Sequence, residues 1–131
     1  MNCETQFEMN AVRSYNAIIY LGLRGHQTER IATPESVYEF VQAHVSSFGK
    51  GTPAGCVSVT PTKFIYVDGA EDGFAIGLIN YPRFPAEEPA IRASALSLAE
   101  GLAVKFQQCR VSVVFPEQTI MLTQTSLVPK E

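Results

Sequence analysis

Apolar residues recur along this chain with two periods, and the switches between them predict its elements. The run YNAIIYLGL, 15–23, is apolar and aromatic over the length of one strand. Val37, Phe40, Val41, Val45 and Phe48 then recur at helical spacing. Thr33 ahead of Pro34 and Glu35 provides a hydroxyl cap, a first-turn proline and an acid near the positive helix end, and Gly49 closes the helix. Residues 56–67, CVSVTPTKFIYV, alternate as a half-buried strand, in which Pro61 calls for a bulge, an edge position or a break. The stretch DGAEDG, 68–73, reads as a hairpin turn and FAIGLI, 74–79, as the return strand. Its small alternate residues, Ala75 and Gly77, would let another backbone or a helix approach closely.

Ile91, Ala95, Leu98, Leu102 and Phe106 mark a second helix over about 87–107. CRVSVVF, 109–115, is the next strand, Pro116-Glu117-Gln118 turns the chain, and 119–124 returns beside it. Residues 1–12 and 125–131 read as loose ends of a single domain spanning 1–131. The resulting order predicts an α+β fold: a ferredoxin-like antiparallel sheet, βαββαβ plus one extra hairpin strand, with two helices on one face.

The 131 residues suit one core, and 46% hydrophobic with 18% charged residues is a globular balance. A net charge of −3 offers no general field for a long nucleic acid, so an anion would have to be caught by local arginines. The polar, acidic start lacks the pattern of a signal peptide, and no apolar run approaches the ~20 residues of a membrane span; a cytoplasmic location is expected. Three widely spaced cysteines without a CxxC pair predict neither a metal site nor a disulfide framework, and no cofactor is expected. Cys56 and Cys109 stand in apolar runs and read as small buried hydrophobes.

Signals for catalysis are thin. His26-Gln27-Thr28 and His44-Val45-Ser46 fit the H-x-T/S signature of two-histidine phosphodiesterases, whose histidines act as acid and base on one phosphate. The motif is short, the copies lie only 18 positions apart (44 minus 26), and a histidine on the first helix is more simply a packing residue. No G-x-S-x-G elbow is present, and GKGT at 49–52 follows a helix instead of opening one. Glu87 and Glu88 read as complements to the positive end of the second helix.

The stretch LINYPRFPAEEPAIR, 78–92, is a better candidate. Stiff prolines hold Tyr81, Arg83 and Phe84 at the end of a strand, where aromatics stack on flat rings and arginine clamps phosphate. The helix that follows offers backbone amides suited to an anion and carries Arg92 in its first turns. Arg110, Lys63 and Tyr66 complete the candidate ligand-binding set. Apolar residues at both strand parities (Val111, Val113 and Phe115 beside Val114; Ile120 and Leu122 beside Met121) predict an apolar open sheet face and a homo-oligomer.

The strand–helix order, opened by YLGL at 20–23, resembles small ferredoxin-like families of bacteria and phages. With its arginine–aromatic features, the chain also resembles the phage Thoeris anti-defence proteins over roughly 15–124. That resemblance implies an oligomer that sequesters a cyclic nucleotide immune signal in the host cytoplasm without cleaving it, with Tyr81, Arg92 and Arg110 contacting the ligand. The leading expectation is therefore a non-enzymatic oligomeric sponge for a small anionic or nucleotide-like ligand. A module gripping a host or viral protein through its open sheet face is the alternative, and a two-histidine phosphodiesterase the third reading.

Overall fold

The computed structural model describes residues 5–23, 32–48 and 56–128. Five strands and two main helices follow one another as β1 (Asn16–Gly22), α1 (Pro34–Ser47), β2 (Ser58–Tyr66), β3 (Gly69–Ile79), α2 (Glu88–Lys105), β4 (Arg110–Val114) and β5 (Thr119–Thr123). A short 3-10 turn at Thr125–Leu127 closes the described chain. The strands form one sheet in the order β2-β3-β1-β4-β5, with every neighbouring pair antiparallel. This is the predicted ferredoxin-like α+β arrangement, with β5 extending the β4 edge.

Strand periodicity decides which side chains meet the helices. Ala17, Ile19 and Leu21 on β1, Phe74, Ile76 and Leu78 on β3, and Val111 and Val113 on β4 are buried on one face. Ile91, Ala95, Leu98, Ala99 and Leu102 of α2 close over them. Removing so much apolar surface from water, at about 25 cal/mol per Å2, is the main force holding the sheet and helices together. Gly101 lets α1 approach α2, since a side-chain carbon there would sit 3.1 Å from the Phe40 ring. His44 fills the same seam, 3.3 Å from Ser97 Oγ and in ring contact with Phe40 and Phe48. That is a packing role for His44, while His26 lies outside the described residues.

The hairpin differs from the sequence expectation. Gly69–Gly73 pair with β2 as the start of β3, so the loop is only Val67-Asp68, between the paired Tyr66 and Gly69. Asp68 takes the left-handed conformation, φ 70°, which aspartate tolerates better than most residues. The glycines serve the sheet instead: Gly73 leaves room for the Phe64 ring, and a side-chain carbon there would lie 2.2 Å from Phe64 Cε2. Pro61 resolves as an edge residue in an unbroken β2, the outer strand of the sheet, where a missing N–H costs no ladder bond. Ala75 and Gly77 face the open side, so no helix approaches them as the sequence suggested. Cys56 is exposed ahead of β2 and Cys109 half-buried, so neither is the core hydrophobe expected.

The open face carries Ile18 and Tyr20 of β1, Phe64 of β2, Val114 of β4 and Met121 of β5. Met121 is 57% exposed, in contrast to the closed core behind it. No described helix is long and apolar enough to cross a membrane.

Candidate functional site

Antiparallel pairing brings four chain segments to one end of the sheet: the approach to β1, the exit of β3, the start of α2 and the β4–β5 turn. Asn80 ties three of them together. Its backbone N–H donates to Tyr15 O at 3.0 Å, its Nδ2 donates to Arg13 O at 2.9 Å, and its Oδ1 accepts from Ala86 N at 2.9 Å. Residues 13–15, just before β1, are thereby fixed against the start of α2.

A cleft of about 470 Å3 opens between these segments, with Arg13, Tyr15, Glu88, Arg92 and Glu117 in its wall. A second recess of about 390 Å3, reaching Val12, Asn80, Ala86 and Glu87, shares Arg13, Glu88 and Pro89 with the first. Both volumes fall within the usual range for small-molecule sites, roughly 300–1,000 Å3.

Glu117 organises the first lobe. Tyr15 Oη donates to Glu117 Oε1 at 2.8 Å, and Arg92 Nη2 donates to the same oxygen. Tyr15 is 5% exposed and its ring packs on Phe115, with centroids 6.3 Å apart. The Arg92 guanidinium lies over the same ring at 5.4 Å. Arg92 Nε is buried without an acceptor, an expensive arrangement that its two fixed contacts impose. Burial works to raise the Glu117 pKa, yet the hydrogen bond from Tyr15, a backbone bond and the Arg92 charge outweigh it and hold the carboxyl below its ordinary value. Burial and the bond to Glu117 push the Tyr15 phenol up. The site therefore holds a proton on Tyr15 and a negative charge on Glu117 near neutral pH.

The second ion pair is loose. Arg13 Nε stands 3.6 Å from Glu88 Oε1, with the arginine side chain 88% exposed. It bridges the two lobes at their shared wall.

The sequence-selected residues divide between two ends of the molecule. Tyr81 and Phe84 form an isolated bridge across a tight turn, with Phe84 N–H donating to Tyr81 O at 2.9 Å, and Arg83 stacks over Phe84 at 5.3 Å. A hydrogen bond with Cys56, with burial, raises the Tyr81 pKa. These three stand at the cleft end beside Asn80, and Arg92 lies in the cleft. Arg110 starts β4 at the other end, roughly 14 Å of strand rise from Val114 (four residues at about 3.4 Å each). Tyr66 is half-exposed beside the β2–β3 hairpin over Gly69, and Lys63 pairs across strands with Asp72 at 3.5 Å. One subunit does not bring these two groups together.

Arg13, Tyr15, Asn80, Glu88 and Glu117 were not singled out as site residues from the sequence. The usable signal is topological: in a ferredoxin-like order, the turn after β4 returns to the start of β1 and of α2. Among the described residues, no three His, Cys, Asp or Glu side chains are grouped to hold a metal ion.

No family model matches this sequence, and neither does any curated protein. Solved structures do match. A phage SAM lyase in complex with S-methyl-5'-thioadenosine superposes with a TM-score of 0.72 at 17% identity, over 91% of this chain and 96% of the other. The phage SAM lyase in its apo state gives 0.74 at the same identity and coverage. The shared property is the fold, over nearly the whole length of both chains. The expectation of a non-enzymatic protein is corrected by this finding, since both of these matching chains are those of a lyase. They are phage proteins, as the sequence resemblance had it, but lyases acting on SAM and not sponges for a cyclic nucleotide.

Proposed function

We propose that this protein is an enzyme of the SAM lyase type, which binds SAM in the cleft beside the start of α2 and releases S-methyl-5'-thioadenosine. The observation that carries the reading is the match to a lyase chain that holds that nucleoside, 0.72 in TM-score over 91% of this chain. The cleft supports it independently in size and in chemistry.

Such a cleavage asks little covalent work of a protein. The carbon–sulfur bond breaks, its electron pair stays on sulfur, and the sulfonium becomes a neutral thioether. The substrate's own carboxylate forms a C–O bond to the carbon left behind as the C–S bond breaks, so no water is consumed and no proton is lost. Catalysis then rests on holding the substrate chain in a reactive conformation away from solvent. A cleft lined by fixed charged side chains suits that role, and a nucleophilic serine or cysteine is not required.

Under this reading the ligand is nucleotide-derived, as the sequence suggested, but cationic at sulfur. We also carry the homo-oligomer as part of the proposal, with a second copy covering the apolar open face around Ile18, Tyr20, Val114 and Met121; native mass spectrometry reads the subunit count directly. The enzymatic claim is tested by incubating the purified protein with SAM and following S-methyl-5'-thioadenosine by liquid chromatography and mass spectrometry. Accumulation of the nucleoside well above the spontaneous rate is expected. A folded protein that leaves SAM unchanged refutes the activity.

A further inference from the structure

Charge balance in the cleft narrows what it can recognise. Arg13 and Arg92 contribute two positive charges and Glu88 and Glu117 two negative ones, so the wall is neutral overall, 2 − 2 = 0. A site built for phosphate collects cations and backbone amides without opposing carboxylates. Here each cation already has an acid beside it, and Glu87 and Glu88 occupy the start of α2 where a bare anion would otherwise sit. A neutral wall with paired charges of both signs complements a ligand that itself carries both signs a few bonds apart.

The two pairs also differ in how readily they yield. Arg92 and Glu117 are pinned by Tyr15 and Phe115 and keep their geometry. Arg13 and Glu88 stand 3.6 Å apart in solvent, and such an exposed pair contributes about 0–1 kcal/mol, so a ligand can take either partner at little cost. Both bonds to Glu117 land on Oε1, and Oε2 takes part in neither.

We propose that the cleft between Arg13–Glu88 and Arg92–Glu117 is a subsite for the zwitterionic α-amino acid end of the substrate. In it the arginines receive the carboxylate and Glu88 and Glu117 receive the ammonium. The proposal rests on the lyase reading for the rest of the substrate. It adds a specificity rule, since a nucleoside lacking the amino acid engages neither pair. Cleavage would remove the group that holds the ligand, which favours release of the nucleoside product.

The test compares two ligands that differ in that group. S-adenosylhomocysteine keeps the amino acid and has no sulfonium to cleave; S-methyl-5'-thioadenosine lacks the amino acid. Isothermal titration should find the first bound at least 10-fold more tightly by the wild-type protein. Arg92→Gln and Arg13→Gln should each remove most of that preference while leaving S-methyl-5'-thioadenosine affinity within about twofold, the loss expected for a charge-assisted hydrogen bond being about 1.5–3 kcal/mol, or roughly 10–100-fold. Equal affinities for the two ligands, or variants that weaken both alike, overturn the subsite. L-Methionine, observed by saturation-transfer NMR, separates the two claims. Arg13- and Arg92-dependent methionine binding by a protein that leaves SAM intact keeps the subsite and sinks the lyase reading. SAM turnover that both variants leave unchanged does the reverse.

Discussion

The two ends of the sheet teach different lessons about charge. At the hairpin end Lys63 meets Asp72 across one strand pair, a local and exposed contact that antiparallel pairing produces by itself. At the cleft end Tyr15 reaches Glu117 over 102 positions, and Asn80 reaches Arg13 over 67. Contacts of such span exist only because the whole fold closes, and each holds a polar group in one geometry. Both ends carry cations, but among the described residues those at the cleft end are held by side chains from distant segments around a concavity. Convergence, more than the presence of arginine, distinguishes a candidate site from an ordinary surface.

The comparison breaks most readily at Arg92. Arg92→Ala removes the cleft's pinned cation, and SAM turnover is expected to fall about 100-fold, in line with losing charge-assisted hydrogen bonds worth about 1.5–3 kcal/mol. The melting temperature of the variant checks that the loss is not unfolding. Asn80→Leu strikes the scaffold instead. Two side-chain hydrogen bonds vanish, and leaving their backbone partners unmatched costs about 2 kcal/mol in denaturant unfolding, with the approach to β1 released from the start of α2.

Tyr15→Phe keeps the ring against Phe115 and deletes only the hydroxyl, for about 1–2 kcal/mol of stability. It also has a pH signature. The Glu117 pKa is depressed in the folded protein, so its contribution to stability is complete above the ordinary glutamate value of about 4.3 and is lost as pH falls through the lower folded value. Without the Tyr15 hydroxyl the depression shrinks, and the carboxyl resonance of Glu117, followed by carbon NMR, should titrate at higher pH than in the wild type. An unshifted titration would mean that the bond contributes little. Smallest of all are the effects at the other end. Lys63→Ala and Arg110→Ala should change stability by less than about 0.5 kcal/mol and ligand affinity by less than about twofold, as for surface changes away from a site. A large loss at Arg110 would place it in a neighbouring subunit's cleft and sharpen the oligomer proposal.

The architecture was legible in the sequence because its period signals are strong. Val37, Phe40, Val41 and Val45 mark α1, and the alternation in β1 and β4 marks the buried face. What misled was local chemistry. Glycines at 69 and 73 suggested a turn, yet their use is to admit the Tyr66 and Phe64 rings within the sheet. Cys56 looked apolar by its neighbours, but β2 begins only at Ser58. The site was half-legible. The stiff stretch around Tyr81 and the helix start with Arg92 were visible, while Tyr15 reads as a strand aromatic and Glu117 as a turn residue until the register brings them together. An enzymatic reading was not legible, because the proposed cleavage is completed within the substrate and needs no nucleophile motif in the chain. That physical reason underlies the mistaken expectation of a pure binding protein.

The central claim is that the cleft beside α2 is the substrate site, and a crystal structure of the protein with S-adenosylhomocysteine tests it most directly. The account predicts the ligand between the approach to β1, the start of α2 and Glu117, with its carboxylate on Arg92 or Arg13. Ligand bound instead on the open sheet face or beside Arg110, with the cleft untouched, would contradict it.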